Sequence, residues 1–286
     1  MVSSRGFGQK LVDAGRERGR LCVGIDPHAA LLEQWGLPDS ADGLRTFALT
    51  CVEAFADTAA LVKPQVAFFE RFGSRGFAVL EEALAGLRET GTLVVADAKR
   101  GDIGSTMAGY ASAWLEPGSP LEADAVTLTP YLGVGSLAPA IELAQAHGKG
   151  VFVMAANSNP EAEAFQAASL GVGDGEVTVA QFMVDECAAY NHDANNPGTE
   201  GGADGVGDIG VVVGATVVKP PALENLNGCV LMPGVGAQGA TYEDAERVAG
   251  IDPVLVFPSV SRSILRFGPD VSELRKQVKI AGRRGD

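Results

Sequence analysis

The sequence predicts an α/β protein of one domain, residues 1–286, folded as a (β/α)8 TIM barrel. Three observations point there. Short, nearly continuous apolar runs recur eight times, as parallel strands covered on both faces require. Segments with helical periodicity separate them. No Gly-x-Gly-x-x-Gly follows the first run, where an open doubly wound dinucleotide-binding sheet would carry it. By strand pattern alone, such an open sheet remains the alternative.

The elements follow in order. Residues 5–19 read as an extra helix ahead of the first strand, and the strand runs are 21–26, 61–66, 93–99, 125–130, 151–157, 209–216, 229–236 and 253–260. Leu44, Phe47, Ala48, Cys51, Val52 and Phe55 recur at i, i+3, i+4 and i+7, one apolar helix face. Phe77, Leu80, Leu84 and Leu87 do the same. Further helices are predicted over 105–115, 137–147, 177–191, 241–249, 261–267 and 270–282, with Thr241 and Asp244 placed as N-cap and N3 of a capping box. One stretch breaks the rhythm. Residues 193–208 hold five glycines, four acids and no base, which predicts a surface loop between the fifth and sixth strands, with a lid over the site as its functional alternative.

Composition narrows the function. The chain is 46% apolar and 20% charged, ordinary for a protein with a full core. Its 22 basic and 36 acidic residues give a formal charge of −14, which argues against nucleic-acid or anionic-membrane partners. A few focused cations still suffice for one small anion. Cys22, Cys51, Cys187 and Cys229 form no Cys-x-x-Cys, and His28, His147 and His192 have no metal-ligand spacing. His28, after Asp26-Pro27, reads as a surface or loop-fixing residue rather than a catalyst. Four reduced thiols, no signal-like segment at Met1–Arg20 and no run of 18 apolar residues give a cytoplasmic expectation.

In such a barrel the chemistry lies at the C-terminal ends of the strands. The third strand turns abruptly from Leu93-Val94-Val95-Ala96 to Asp97-Ala98-Lys99. A two-residue alternation puts Asp97 and Lys99 on one face. With Asp26 and Lys63 from the first two strands they make a ring of alternating charge that keeps its lysines protonated. The same pattern also fits an ordinary salt-bridge network at a barrel end. Thr127 or Thr129, Asn157 or Ser158, Thr216, Gln238 and Arg262 are the other polar candidates on this rim. Pro233-Gly234-Val235-Gly236-Ala237-Gln238-Gly239 reads as an anion-binding turn, or as a tight turn that needs glycine for its angles. Arg262, just after the last strand, is placed to pair with a phosphate.

Taken together these motifs resemble the orotidine 5′-phosphate decarboxylase family. Asp97-Ala98-Lys99-Arg100-Gly101-Asp102-Ile103-Gly104-Ser105-Thr106 is similar to that family's Asp-x-Lys-x-x-Asp-Ile-x-x-Thr signature. Gly24-Ile25-Asp26, Lys63-Pro64-Gln65, Ser158-Asn159-Pro160, the 233–239 turn and Arg262-Ser263-Ile264 resemble its other motifs, in the family's order, over residues 21–265. The Lys-Pro-Gln form and the long fifth-to-sixth connection resemble the longer bacterial subgroup, type 2.

The resemblance implies a homodimer that converts orotidine 5′-monophosphate (OMP) to UMP and CO2, a step of pyrimidine biosynthesis, without metal or organic cofactor. It assigns Lys99 to stabilising and protonating the carbanion at C6, and Asp97 to holding Lys99 beside the leaving carboxylate. Lys63 and Asp26 would orient the ribose. Asp102 and Thr106 would reach the neighbouring subunit's site, and Ile103 would line the apolar pocket for CO2. Ser158 and Gln238 would bind the pyrimidine; Arg262 and the backbone N–H groups around Gly234 and Gly236 would bind phosphate. Two alternatives share parts of this pattern: a magnesium-dependent sugar-phosphate barrel with the same Asp-x-Lys-x-x-Asp core, and a non-catalytic nucleotide-binding barrel. The first needs an acidic metal ligand where Lys63 stands, and an ammonium there opposes a divalent cation.

Overall fold

A computed structural model describes residues 5–173, 175–192, 205–236 and 239–283. Eight parallel strands close into a barrel: β1 (Cys22–Ile25), β2 (Leu61–Pro64), β3 (Leu93–Arg100), β4 (Ala125–Leu128), β5 (Gly150–Ala156), β8 (Gly207–Val213), β9 (Gly228–Pro233) and β10 (Val256–Val260). Each pairs with its predecessor in this series, and β10 returns to β1. An exposed antiparallel hairpin, β6 (Ser169–Val172) and β7 (Gly175–Thr178), is inserted between β5 and β8.

The helices are α1 (Phe7–Arg18), α2 (Ala29–Gln34), α3 (Ala41–Phe55), α4 (Val66–Glu70), α5 (Gly73–Glu89), α6 (Gly104–Leu115), α7 (Ala138–Ala146), α8 (Pro160–Gln166), α9 (Val179–His192), α10 (Tyr242–Ala249), α11 (Arg262–Leu265) and α12 (Val271–Gly282). The predicted face of α3 is buried at Leu44, Phe47, Ala48, Cys51 and Phe55. Thr241 and Asp244 form the capping box of α10. No helix of the described residues is long and apolar enough to cross a membrane.

Strand alternation builds two cores. Val23, Val62, Val94, Val126, Val153 and Val211 face outward into the layer of helices. Cys22, Leu61, Val95, Ala125, Phe152, Cys229, Leu231 and Phe257 face inward and fill the barrel together with Phe7, Leu11 and Val12 of α1. The predicted extra helix is therefore the floor of the barrel: the Phe7 and Phe152 rings meet edge to face, 5.9 Å apart. Asp208 Oδ1 accepts Gly8 N at 3.0 Å and satisfies a donor at the start of α1.

Several boundaries differ from the sequence reading. Residues 193–204 of the predicted loop lie outside the described residues, but Gly207 and Asp208 already belong to β8. Asp208 is buried beneath α1, so its acidity is not a surface feature. The last strand begins only at Val256, because Pro253–Leu255 form a 3₁₀ turn capped by Asp252. The helices α2, α4 and α8 and the β6–β7 hairpin were not anticipated.

Candidate active site

Two residues above the inward apolar layer, the same strands turn polar. Lys63 follows Leu61, Asp97 follows Val95, Thr127 follows Ala125 and Ser259 follows Phe257; all four line one cavity of about 350 Å³ at the C-terminal mouth. The period-two alternation of each strand places them there.

Asp97 is the centre. Its carboxylate is only 9% exposed and takes Lys63 Nζ at 3.1 Å on Oδ2 and Lys99 Nζ at 2.5 Å on Oδ1. Thr127 donates its hydroxyl to Oδ1 at 2.9 Å. Burial alone would raise the Asp97 pKa; the ammonium groups of Lys63 and Lys99 outweigh it and bring it to about 2. Burial would also depress Lys63, but the carboxylates of Asp97 and Asp26 hold its pKa above the usual lysine range. Beneath them, burial pushes the Cys22 thiol up to about 12, so it stays neutral. All four cysteines are free and buried.

Lys99 reaches this position by another route than simple alternation. Ala96 pairs with Val126, but the next pair is Arg100 with Leu128, so β3 carries extra residues opposite β4. Within that bulge Lys99 adopts φ 49°, a left-handed conformation uncommon for a side-chain-bearing residue. Its N–H, displaced from the ladder, donates to Thr127 Oγ1 at 2.9 Å. Thr127 thus anchors both the bulge and the carboxylate. The Lys99 side chain remains 41% exposed and lines the cavity.

The other walls come from strand ends. Asp26 stands after β1 and Gln65 after β2; Asp26 Oδ1 and Gln65 Oε1 are buried without a hydrogen-bond partner among the described residues. Such acceptors are costly unless a ligand hydroxyl or amide serves them. Met154, Val212, Leu231 and Val235 make an apolar side opposite the charges. Asn157, Ser158 and Asn159 all line the cavity after β5, and the Asn157 side chain is tied to Gln166. At the far end Gly234 and Gly236 hold φ 107° and 74°, a turn closed by Gly236 N on Ala240 O at 2.9 Å. Gly234 lines the cavity; Gly236 does not. Arg262, at the start of α11, lines the same end and makes no ion pair among the described residues. His28 occupies the N-cap position of α2 without a side-chain capping bond; burial and the Arg262 charge lower its pKa against the pull of Asp26.

So Asp26, Lys63, Asp97, Lys99, Ser158, Gly234 and Arg262 come together. Asp102, Ile103 and Thr106 do not join this chain's cavity. They stand outside its rim at the start of α6, with Ile103 62% exposed and Asp102 Oδ1 accepting Ile103 N at 2.8 Å. Gln238 lies outside the described residues. Thr216 borders a neighbouring cavity instead. Gln65, Met154, Ser259 and Ser261 were missed as site residues. Counting two residues on from each inward apolar position would have found Ser259.

The arrangement offers a ring of fixed charge on the β1–β3 side, an apolar wall opposite, and a cation with a glycine turn at one end. It fits a flat ring attached to an anionic tail.

Comparison with known proteins agrees. The model of the orotidine 5′-phosphate decarboxylase / HUMPS family matches residues 19–277. A curated orotidine 5′-phosphate decarboxylase of Corynebacterium efficiens is 61% identical over 274 residues, covering 95% of this chain and 94% of the relative. One from Salinispora tropica is 54% identical over 270 residues, covering 94% and 93%. A crystal structure from Streptomyces avermitilis, provisionally assigned to the same enzyme, superimposes with a TM-score of 0.90 at 48% identity, covering 99% of this chain and 96% of that one. With its closed barrel, its charged mouth and relatives that match it nearly end to end, the chain belongs to the orotidine 5′-phosphate decarboxylase / HUMPS family.

Proposed function

We propose that this chain decarboxylates OMP to UMP and CO2, and that its own side chains supply the chemistry. The observation that carries the reading is Asp97 held ionised between two ammonium groups, one of which, Lys99, is half exposed to the cavity. In the reaction the bond from C6 to the carboxylate breaks, CO2 leaves, and the electron pair stays on C6. A fixed Lys99 ammonium stabilises that charge more than it stabilises the substrate, then gives C6 a proton. Asp97 holds Lys99 in place and stands near the departing carboxylate.

Asp26 and Lys63 take the ribose hydroxyls; the buried Asp26 Oδ1, without a hydrogen-bond partner among the described residues, supports this. Ser158, with Gln238, contacts the pyrimidine. Arg262 and the N–H groups of the Gly234–Gly236 turn take the phosphate, whose binding holds the base against the charged ring without changing in the reaction. Asp102 and Thr106 serve the site of a second copy in a homodimer, with Ile103 lining its CO2 pocket; their place outside their own cavity, with Ile103 and Thr106 exposed, supports this. Buried free thiols favour a cytoplasmic setting. The reading needs no metal or organic cofactor, and Lys63 opposes a divalent cation at the place where a sister barrel would bind one.

The test is OMP consumption and UMP formation by purified protein, with and without EDTA. EDTA-insensitive conversion is expected. No conversion by folded protein overturns the reading, and EDTA-sensitive turnover points to the metal-dependent sister chemistry.

A further inference from the structure

Between Met154 and Ala156, β5 carries one residue more than β8: Met154 pairs with Val212 and Ala156 with Val213. The ladder then ends. Ala156 O still accepts Gly214 N at 2.8 Å, but the next N–H, on Asn157, leaves the sheet. It donates instead to Gln166 Oε1 at 2.7 Å, while Gln166 Nε2 donates to Asn157 Oδ1 at 2.9 Å. One side-chain amide thus satisfies a backbone donor and a side-chain acceptor of the same residue, which fixes its own orientation.

We propose that Gln166 is a positioning residue for the ligand-binding wall: by clamping Asn157 at two points it sets where Ser158 stands in the active cavity. The inference rests on the reading of Ser158 as a pyrimidine contact.

Two features make this more than a local tie. The segment Asn157–Asn159 is a thin wall. The active cavity lies on one side, and a second cavity of about 280 Å³, bordered by Pro160, Gln166, Thr178 and Val217, lies on the other. A wall with space behind it is not fixed by close packing alone. On the β8 side the fit is tight, since a Cβ on Gly214 would come within 2.9 Å of Ser158 Cβ. Ser158 therefore lies against the strand end on one side and directly follows the clamped Asn157 on the other. In addition, Gln166 ends α8, none of whose residues is buried, and the hairpin that follows is exposed to partly buried. With so little core contact, polar ties set where this insertion sits.

The test uses full-length Gln166→Leu, which removes both bonds at similar volume, and Gln166→Glu. The glutamate still accepts Asn157 N, and a turned Asn157 amide donates to its other oxygen. Steady-state OMP turnover is combined with inhibition by UMP and by ribose 5-phosphate, which lacks the base. In Gln166→Leu, kcat/KM for OMP is expected to fall about tenfold to a hundredfold, as for a displacement of about 1 Å. UMP inhibition should weaken similarly, with ribose 5-phosphate inhibition unchanged and Gln166→Glu near wild type. If Gln166→Leu folds poorly, Asn157→Ala, which removes only the side-chain half of the clamp, should show a smaller loss of the same selectivity. Unchanged UMP inhibition, or equal weakening of both inhibitors, overturns the proposal. Failure of the wild-type protein itself to turn over OMP would instead overturn the decarboxylase reading beneath it.

Discussion

Lys99 Nζ and Asp97 Oδ1 are 2.5 Å apart across a bulge in β3, although strand alternation alone does not hold them together. What joins them is Thr127, which donates to that same carboxylate oxygen and accepts the Lys99 N–H. The Lys99 ammonium is thus positioned from the next strand as well as from its own.

Thr127→Val should therefore damage more than one hydrogen bond. It leaves the Lys99 N–H without its acceptor and removes one of the two donors to Asp97 Oδ1. A stability loss of about 1–3 kcal/mol in urea unfolding is expected, with kcat/KM for OMP down roughly tenfold to a hundredfold. Thr127→Ser, which keeps the hydroxyl, should recover most of both. A Thr127→Val protein with wild-type kinetics would show that the bulge is held by other means.

The network should leave a signature in acid. The Asp97 pKa is depressed from 3.8 to about 2, so the stability it contributes is present above about pH 4 and lost as pH falls toward 2. At one pKa unit per 1.36 kcal/mol, that contribution is on the order of 2 kcal/mol. Lys63 has the opposite sign. Its pKa is raised above 10.5, so its contribution holds below that value and is lost only as pH rises beyond it. Urea midpoints of wild type and Asp97→Asn should differ at pH 6 and converge between about pH 4 and pH 2. A constant gap over that range would mean that Asp97 is not held ionised by its lysines.

Asp102, outside its own cavity, yields a test of shared sites. Asp102→Ala and Lys99→Ala should each be inactive. Mixed and allowed to exchange subunits, they place a native Lys99 and a partner's native Asp102 in one of the two sites of each hybrid dimer. Random pairing would restore about a quarter of wild-type activity. No recovery after demonstrated exchange rules out Asp102 acting across an interface.

Much of this was readable from residue order because the barrel repeats a simple rule. Inward apolar positions such as Leu61 and Val95 predict polar successors two residues on, and Lys63 and Asp97 stand there. The bulge was not readable, because it depends on how β3 meets Thr127 in β4 and not on the Asp97–Lys99 spacing itself. The short helices α2 and α8 carry too few turns for a periodic signal. The β6–β7 hairpin, exposed to partly buried, lacks the apolar run that marks the barrel strands. Asp208 was misleading for the reverse reason. It closes a stretch rich in glycines and acids, but its partner is the start of α1, 200 residues away.

The central claim is that the Lys99 ammonium stabilises and then protonates the carbon left by CO2. The most direct measurement compares OMP turnover and UMP binding in wild type and Lys99→Ala. Loss of a fixed charge and of the proton donor together should lower kcat by roughly 10⁴-fold or more, while UMP binds within about tenfold of wild type because its phosphate and ribose contacts remain. A Lys99→Ala protein that turns over OMP within tenfold of wild type would contradict the account.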